Sequence, residues 1–202
     1  MAEQIIPTKG NLMNARRSLA LANTGYDLME RKRKVLVREI AAKTREYRSL
    51  LLEAEAAYKN AFYKLKFATI ADGLPVTPAQ SVPLETSVNI VSRSIMGVEV
   101  PLAKIEKSEM RHYYGLTDTS LMLDEAYEEF NRFKELIVEL ASLETTLFKL
   151  DEAVSKTVKR SNALGNIVIP KHTADVKFIT ASLEEKEREE FTRLKVVKKT
   201  DS

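Results

Sequence analysis

Residues 12–68 read LMNARRSLALANTGYDLMERKRKVLVREIAAKTREYRSLLLEAEAAYKNAFYKLKFA, and the fold follows from their spacing. Alternating steps of three and four from Leu12 land on Ala15, Leu19, Ala22, Tyr26, Met29, Arg33, Leu36 and Ile40. The same register continues through Lys43, Tyr47, Leu50, Ala54, Ala57, Ala61, Lys64 and Ala68. Arg33, Lys43 and Lys64 alone interrupt an apolar or small seam, the signature of a coiled coil. The many alanines predict a close helix–helix approach, because a small knob fits a shallow hole.

Outward from this stretch the boundaries are clear. Thr8 is placed to cap the helix, and no proline follows until Pro75. Ala71-Asp72-Gly73-Leu74-Pro75 stops it, with Gly73 as a left-handed cap and Pro75 barring continuation. A first long helix is therefore expected over 8–71. At 1.5 Å per residue its length is about 90 Å, too long for a small globular core.

A middle segment, 72–118, breaks the pattern. Pro75, Pro78 and Pro83 mark irregular chain. Ser87–Ile95 is rich in β-branched residues, Met96-Gly97 suits a tight turn, and Val98-Glu99-Val100 begins a return with Pro101 at an edge. A short β-hairpin over about 87–105 is the prediction.

Asp118, Thr119 or Ser120 then caps a second long helix, expected over 119–199. Its seam runs Leu123, Ala126, Phe130, Phe133, Ile137, Leu140, Leu143, Leu147, Leu150, Val154, Thr157, Ser161, Leu164 and Val168. The paired three-residue steps at Leu140 and Leu143 predict a stammer, and Pro170 predicts a kink. The apolar pattern resumes at Val176, Ile179, Leu183, Phe191, Leu194 and Val197. The fold class is thus all-α dominated: a long antiparallel two-helix coiled coil with a short central β-hairpin insertion. Pairing Ile70 with Thr119 brings Leu12 to residue 177 and leaves a C-terminal tip overshooting the first helix.

Charge is uneven. Residues 8–70 hold 14 basic and 6 acidic side chains, whereas 119–170 hold 6 basic and 9 acidic. The acidic start of the second helix (Asp124, Glu125, Glu128, Glu129, Glu135, Glu139) is expected near Lys59, Lys64 and Lys66. The densest basic run, Arg31-Lys32-Arg33-Lys34, reads as a solvated face, as a contact for an acidic protein surface, or as a nucleic-acid or targeting patch, the last without aromatic interleaving, zinc spacing or an RNA-binding signature to support it.

Catalytic chemistry finds no foothold. There is no cysteine, and His112 and His172 lack ligand spacing. No Gly-rich loop has the spacing to cradle phosphates. Glu106 and Glu109 near His112 are read as a solvated loop, His172 as a helix-surface residue, and Glu184-Glu185 and Glu189-Glu190 as a charged helix face. No cofactor and no metal are expected. The N-terminus lacks the basic start and apolar core of a signal peptide, and no apolar run approaches a membrane span. A cytoplasmic setting is the default.

Four motifs carry a family resemblance. Pro7-Thr8-Lys9-Gly10-Asn11-Leu12, Leu28-Met29-Glu30-Arg31-Lys32-Arg33 with Val35-Leu36, Arg160-Ser161-Asn162-Ala163-Leu164 with Ile167-Val168-Ile169-Pro170, and Glu187–Lys195 occur in order across the chain. Together they resemble the D subunit of the V-type and archaeal A-type rotary ATPases. Glu30 and Gly165 depart from that pattern, which has a basic and an acidic residue there. The resemblance implies a non-catalytic central-stalk rotor shaft that transmits torque between a head and a membrane ion-translocating ring. It implies as partners a hexameric head of catalytic A and B subunits, the F subunit of the stalk and a socket subunit leading to the ring. Nucleotide sites would lie on the head, and the hairpin would bear on regulation of ATP hydrolysis. Under this reading Arg31, Lys32, Arg33, Lys34, Phe191, Leu194 and Val197 are the candidate head contacts. The alternative is a stand-alone coiled-coil tether or scaffold, contacting nucleic acid through its basic first helix.

Overall fold

The structure, a computed structural model, describes residues 6–105, 113–115 and 119–200, with the backbone alone for 197, 199 and 200. The chain is a long helix hairpin with a two-stranded β-hairpin between its arms. Helix α1 spans Lys9–Asp72 and the short α2 spans Val76–Ser81. Strands β1 (Val88–Ile95) and β2 (Val98–Ile105) follow, then α3 (Leu121–Ala163). A single π-helical turn, Leu164–Val168, joins α3 to α4, Ile169–Thr200.

Two compact units divide the chain. One comprises residues 1–35 with 154–202, and the other comprises 36–153. In the first, Gly25 faces Leu164 and Tyr26 lies against Gly165. Glu30 accepts a hydrogen bond from Ser161 at 2.8 Å, and Lys9 pairs with Glu187 at 3.2 Å. Partner numbers rise as α1 is followed backwards, so the helices are antiparallel. Ile179 is fully buried and Ala22 nearly so.

The second unit repeats the antiparallel order. Lys64 meets Glu129 at 3.2 Å and Glu125 at 3.5 Å, while Arg132 meets Glu53 at 3.1 Å. Lys59 and Lys66 make no ion pair among the described residues. Arg132–Glu53 is exposed and Lys64–Glu129 part-buried. An exposed pair is worth only about 0.2–1 kcal/mol, so it orients the helices more than it stabilises them. Ala54, Ala57, Ala61 and Ala68 are buried, and all of the α1 seam positions are at least half-buried. Phe130 and Phe133 sit on Phe62 and Tyr58, with ring centroids 5.7 and 5.3 Å apart.

One seam position departs from the expected register. Ile137 is 43% exposed, whereas its neighbour Leu136 is half-buried. The consecutive three-residue steps therefore fall at Phe133 and Leu136 rather than at Leu140 and Leu143. At Pro170 the helical ladder has already changed before the proline is reached. Ile169 N donates to Leu164 O across a π turn, a one-residue insertion of the kind that bends helices.

The helix ends are closed locally. Asn11 N donates to Thr8 Oγ1 at 3.2 Å, the expected cap. Gly73 adopts φ 81° and its N–H reaches Thr69 O at 3.0 Å, ending α1. Ser120 precedes α3, but among the described residues its hydroxyl makes no bond, while its backbone N–H donates to Asp72 Oδ2 at 2.9 Å. The last carboxylate of α1 thus fixes the entry to α3, near the helix's positive end. Asp118 lies outside the described residues.

Candidate functional site

The basic run lies on α1 within the first unit. Arg31 and Lys34 are exposed and Lys32 and Arg33 are half-buried. The four are not equivalent. Arg33 Nη2 is 2.7 Å from Glu30 Oε2, and Arg33 Nε lies 3.2 Å from both carboxylate oxygens. Glu30 also accepts from Ser161, so one carboxylate bridges a residue on its own helix and one on α3. Those two hydrogen bonds hold the Glu30 carboxyl below its ordinary range, and the same contact raises Arg33. Arg31, Lys32 and Lys34 have no ion-pair partner among the described residues, and Arg31 and Lys34 are the exposed ones.

The predicted apolar contacts form a separate place. Phe191 and Leu194 lie on α4, 69% and 64% exposed. Val197 lies outside the residues whose side chains are described. Lys9 at the start of α1 pairs with Glu187, so Phe191 lies past the first turn of α1. From Lys9 to Arg31 is about 33 Å along the helix, so basic run and apolar tip are distinct surfaces.

Three features escape a reading of the sequence. Glu30 stands out there only as a departure from a family pattern, yet an acid three residues before an arginine is the ordinary signal for an intrahelical pair. Gly165 has no Cβ where one would lie 3.0 Å from Tyr26 Cε2, so the glycine admits the tyrosine ring. Ser142 and Thr146 are buried polar residues of α3 beside the seam. Ser142 Oγ donates to Pro101 O at 3.0 Å and accepts from Ala103 N at 3.2 Å, seating β2 on α3.

No group of three carboxylate, imidazole or thiol side chains among the described residues is arranged to hold a metal ion. Glu106, Glu109 and His112 lie outside the described residues. His172 is 3.7 Å from Asp175 on the same helix face. Among the described residues no helix is long and apolar enough to cross a membrane.

Comparison with known proteins gives one consistent result. The family of ATP synthase D subunits matches residues 11–199. The V-type ATP synthase D subunit of Thermotoga neapolitana is 38% identical over 96% of this chain and 97% of its own length. The A-type ATP synthase D subunit of Methanobrevibacter smithii is 36% identical over 99% of this chain and 90% of its own. That of Methanococcoides burtonii is 36% identical over 98% of both chains. Nothing in these matches supports a free-standing tether. A hairpin of long helices with a small β-hairpin between them, matched over nearly its whole length, belongs to the D-subunit family of the V-type and A-type ATP synthases.

Proposed function

We propose that this chain is the non-catalytic central shaft of a V/A-type rotary ATP synthase, carrying torque between a catalytic head and a membrane ion-translocating ring. Membership of the D-subunit family makes it a central-stalk subunit of such a complex. The observation that carries the finer reading is the α4 tip, where Phe191 and Leu194 stand exposed past the start of α1. A helix with an uncovered apolar stripe is marginal in water, so a surrounding partner is the natural receptor for it. The hexamer of catalytic A and B subunits would receive that tip. The F subunit of the stalk would bind alongside, and a socket subunit would link the other end to the ring. The chain would sit on the cytoplasmic side, peripheral to the membrane, and would bind neither nucleotide nor nucleic acid itself.

Arg31, Lys32 and Lys34 would guide the shaft against acidic loops of the head. Arg33 would contribute less, because Glu30 already neutralises it. Each position of an asymmetric shaft would present these cations to a different head interface, linking nucleotide state to angle. The triple variant Arg31→Gln, Lys32→Gln, Lys34→Gln in the reconstituted complex tests this. ATP-driven rotation and ion pumping should fall several-fold while the complex still assembles. Unchanged pumping per ATP hydrolysed would sink the electrostatic role.

A further inference from the structure

Among the described residues the β-hairpin has one sealed edge and one open edge. Its two-residue turn, Met96-Gly97, has φ 52° and 78°, so both residues are left-handed and the turn is of the primed type that matches strand twist. In such a hairpin the flanking pair, Ile95↔Val98, exchanges both hydrogen bonds, and every second pair does likewise. The amides of Asn89, Val91, Arg93 and Ile95 therefore face β2. Those of Val88, Ile90, Ser92 and Ser94 face away from it. On β2 the same alternation sends Pro101 and Ala103 outward, and these are the two residues bonded to Ser142. α3 and a proline thus close the β2 edge. Among the described residues no backbone group pairs with the β1 edge.

An open edge usually carries a lysine, a proline or a bulge that blocks pairing with another chain. β1 (Val-Asn-Ile-Val-Ser-Arg-Ser-Ile) has no lysine, proline or bulge, Arg93 is its one charged side chain, and its register with β2 is unbroken. Ile90 and Val91 are 70% and 62% exposed on its opposite faces. On the face holding Val91 and Leu102, Arg93 and Lys104 have no carboxylate partner among the described residues.

We infer that β1 is a docking strand: it receives an extended, carboxylate-bearing segment of another ATP synthase subunit, extending the hairpin to three strands. Main-chain bonds to Ile90, Ser92 and Ser94 supply the attachment, and carboxylates beside Arg93 and Lys104 set register. A second copy of this chain is the wrong occupant. β1 contains no acidic residue, so pairing with itself brings arginine towards arginine and leaves both cations unmatched. The inference rests on the chain being a subunit of that complex.

Hydrogen exchange resolved to single amides, on the isolated chain and on the purified complex, tests it. In the isolated chain the amides of Ile90, Ser92 and Ser94 should exchange fast while Val91 and Arg93 are slow. In the complex the three outward amides should slow by about 100-fold or more. Ser92→Pro removes an outward N–H only, and should abolish the added protection while Val91 and Arg93 stay slow. Should that variant unfold the hairpin, Arg93→Glu with Lys104→Glu provides the second arm, and should cut the added protection at least about tenfold. Outward amides that stay fast in the complex overturn the inference. So does protection already present in the isolated chain, whether independent of concentration (cover by its own segments) or rising with it (a second copy). Failure to purify with the other subunits would instead overturn the proposed function.

Discussion

At Gly165 two opposing effects can be weighed. Glycine within a helix costs about 1 kcal/mol relative to alanine, so Gly165→Ala alone should stabilise. The added Cβ, however, would lie 3.0 Å from Tyr26 Cε2 and 3.5 Å from Cδ2. Overpacking of that kind costs about 1–3 kcal/mol, which exceeds the gain. Gly165→Ala should therefore be neutral to destabilising, by up to about 2 kcal/mol. In a Tyr26→Ala background the sign should reverse, to a gain of about 1 kcal/mol. Chemical denaturation of the four proteins of this cycle decides it, and additive effects would remove the contact from the explanation. The sequence shows Gly165 only as an exception to a family pattern, since nothing in its spacing announces a ring on the opposite helix. Arg33 looks like one of four equivalent cations for a similar reason. Charge counting finds the run and the three-residue spacing allows the Glu30–Arg33 pair, but only the structure brings Ser161 onto the same carboxylate.

Among the elements, the long helices were legible because burial and periodicity are one signal. Every α1 seam position from Leu12 to Ala68 is at least half-buried. The β-hairpin was legible too, through its β-branched run and Met96-Gly97. Its seat on α3 was not. Ser142 and Thr146 lie next to an apolar seam, where a serine or threonine ordinarily reads as the solvated side of a helix. Here Ser142 is 6% exposed because β2 covers it. The consequence is specific: Ser142→Ala leaves Ala103 N–H and Pro101 C=O without their partner, apart from a 3.5 Å contact from Thr146. Leaving buried backbone groups unmet costs about 1–3 kcal/mol. That loss should fall on the hairpin, so the Ala103 amide should exchange faster while helix unfolding followed by circular dichroism shifts less. Unaltered Ala103 exchange would show that packing, rather than this hydroxyl, holds β2.

For the whole molecule, the question is which apolar surface the chain covers itself and which it leaves to others. Along α4 the change is abrupt: Ile179 is fully buried, Leu183 is half-buried, and positions 184–196 are all exposed. The heptad reading alone treats Phe191 and Leu194 like any other seam residues. Antiparallel pairing of the two seams already leaves a C-terminal tip beyond the first helix, and the pairing of Lys9 with Glu187 agrees that α1 is spent before they are reached. Substitutions at exposed positions usually change stability by no more than about 0.5 kcal/mol. The double variant Phe191→Ala, Leu194→Ala should therefore melt within about 4 °C of the parent as an isolated chain. In the assembled ATP synthase the same pair should lower ATP-driven ion pumping, because a tip seated in a partner loses its apolar anchors. The two measurements separate the cases. A drop in melting temperature worth more than about 1 kcal/mol would mean that the chain covers these side chains itself. Unchanged stability with unchanged pumping would mean that nothing covers them, and the apolar tip would then have no part in gripping the shaft.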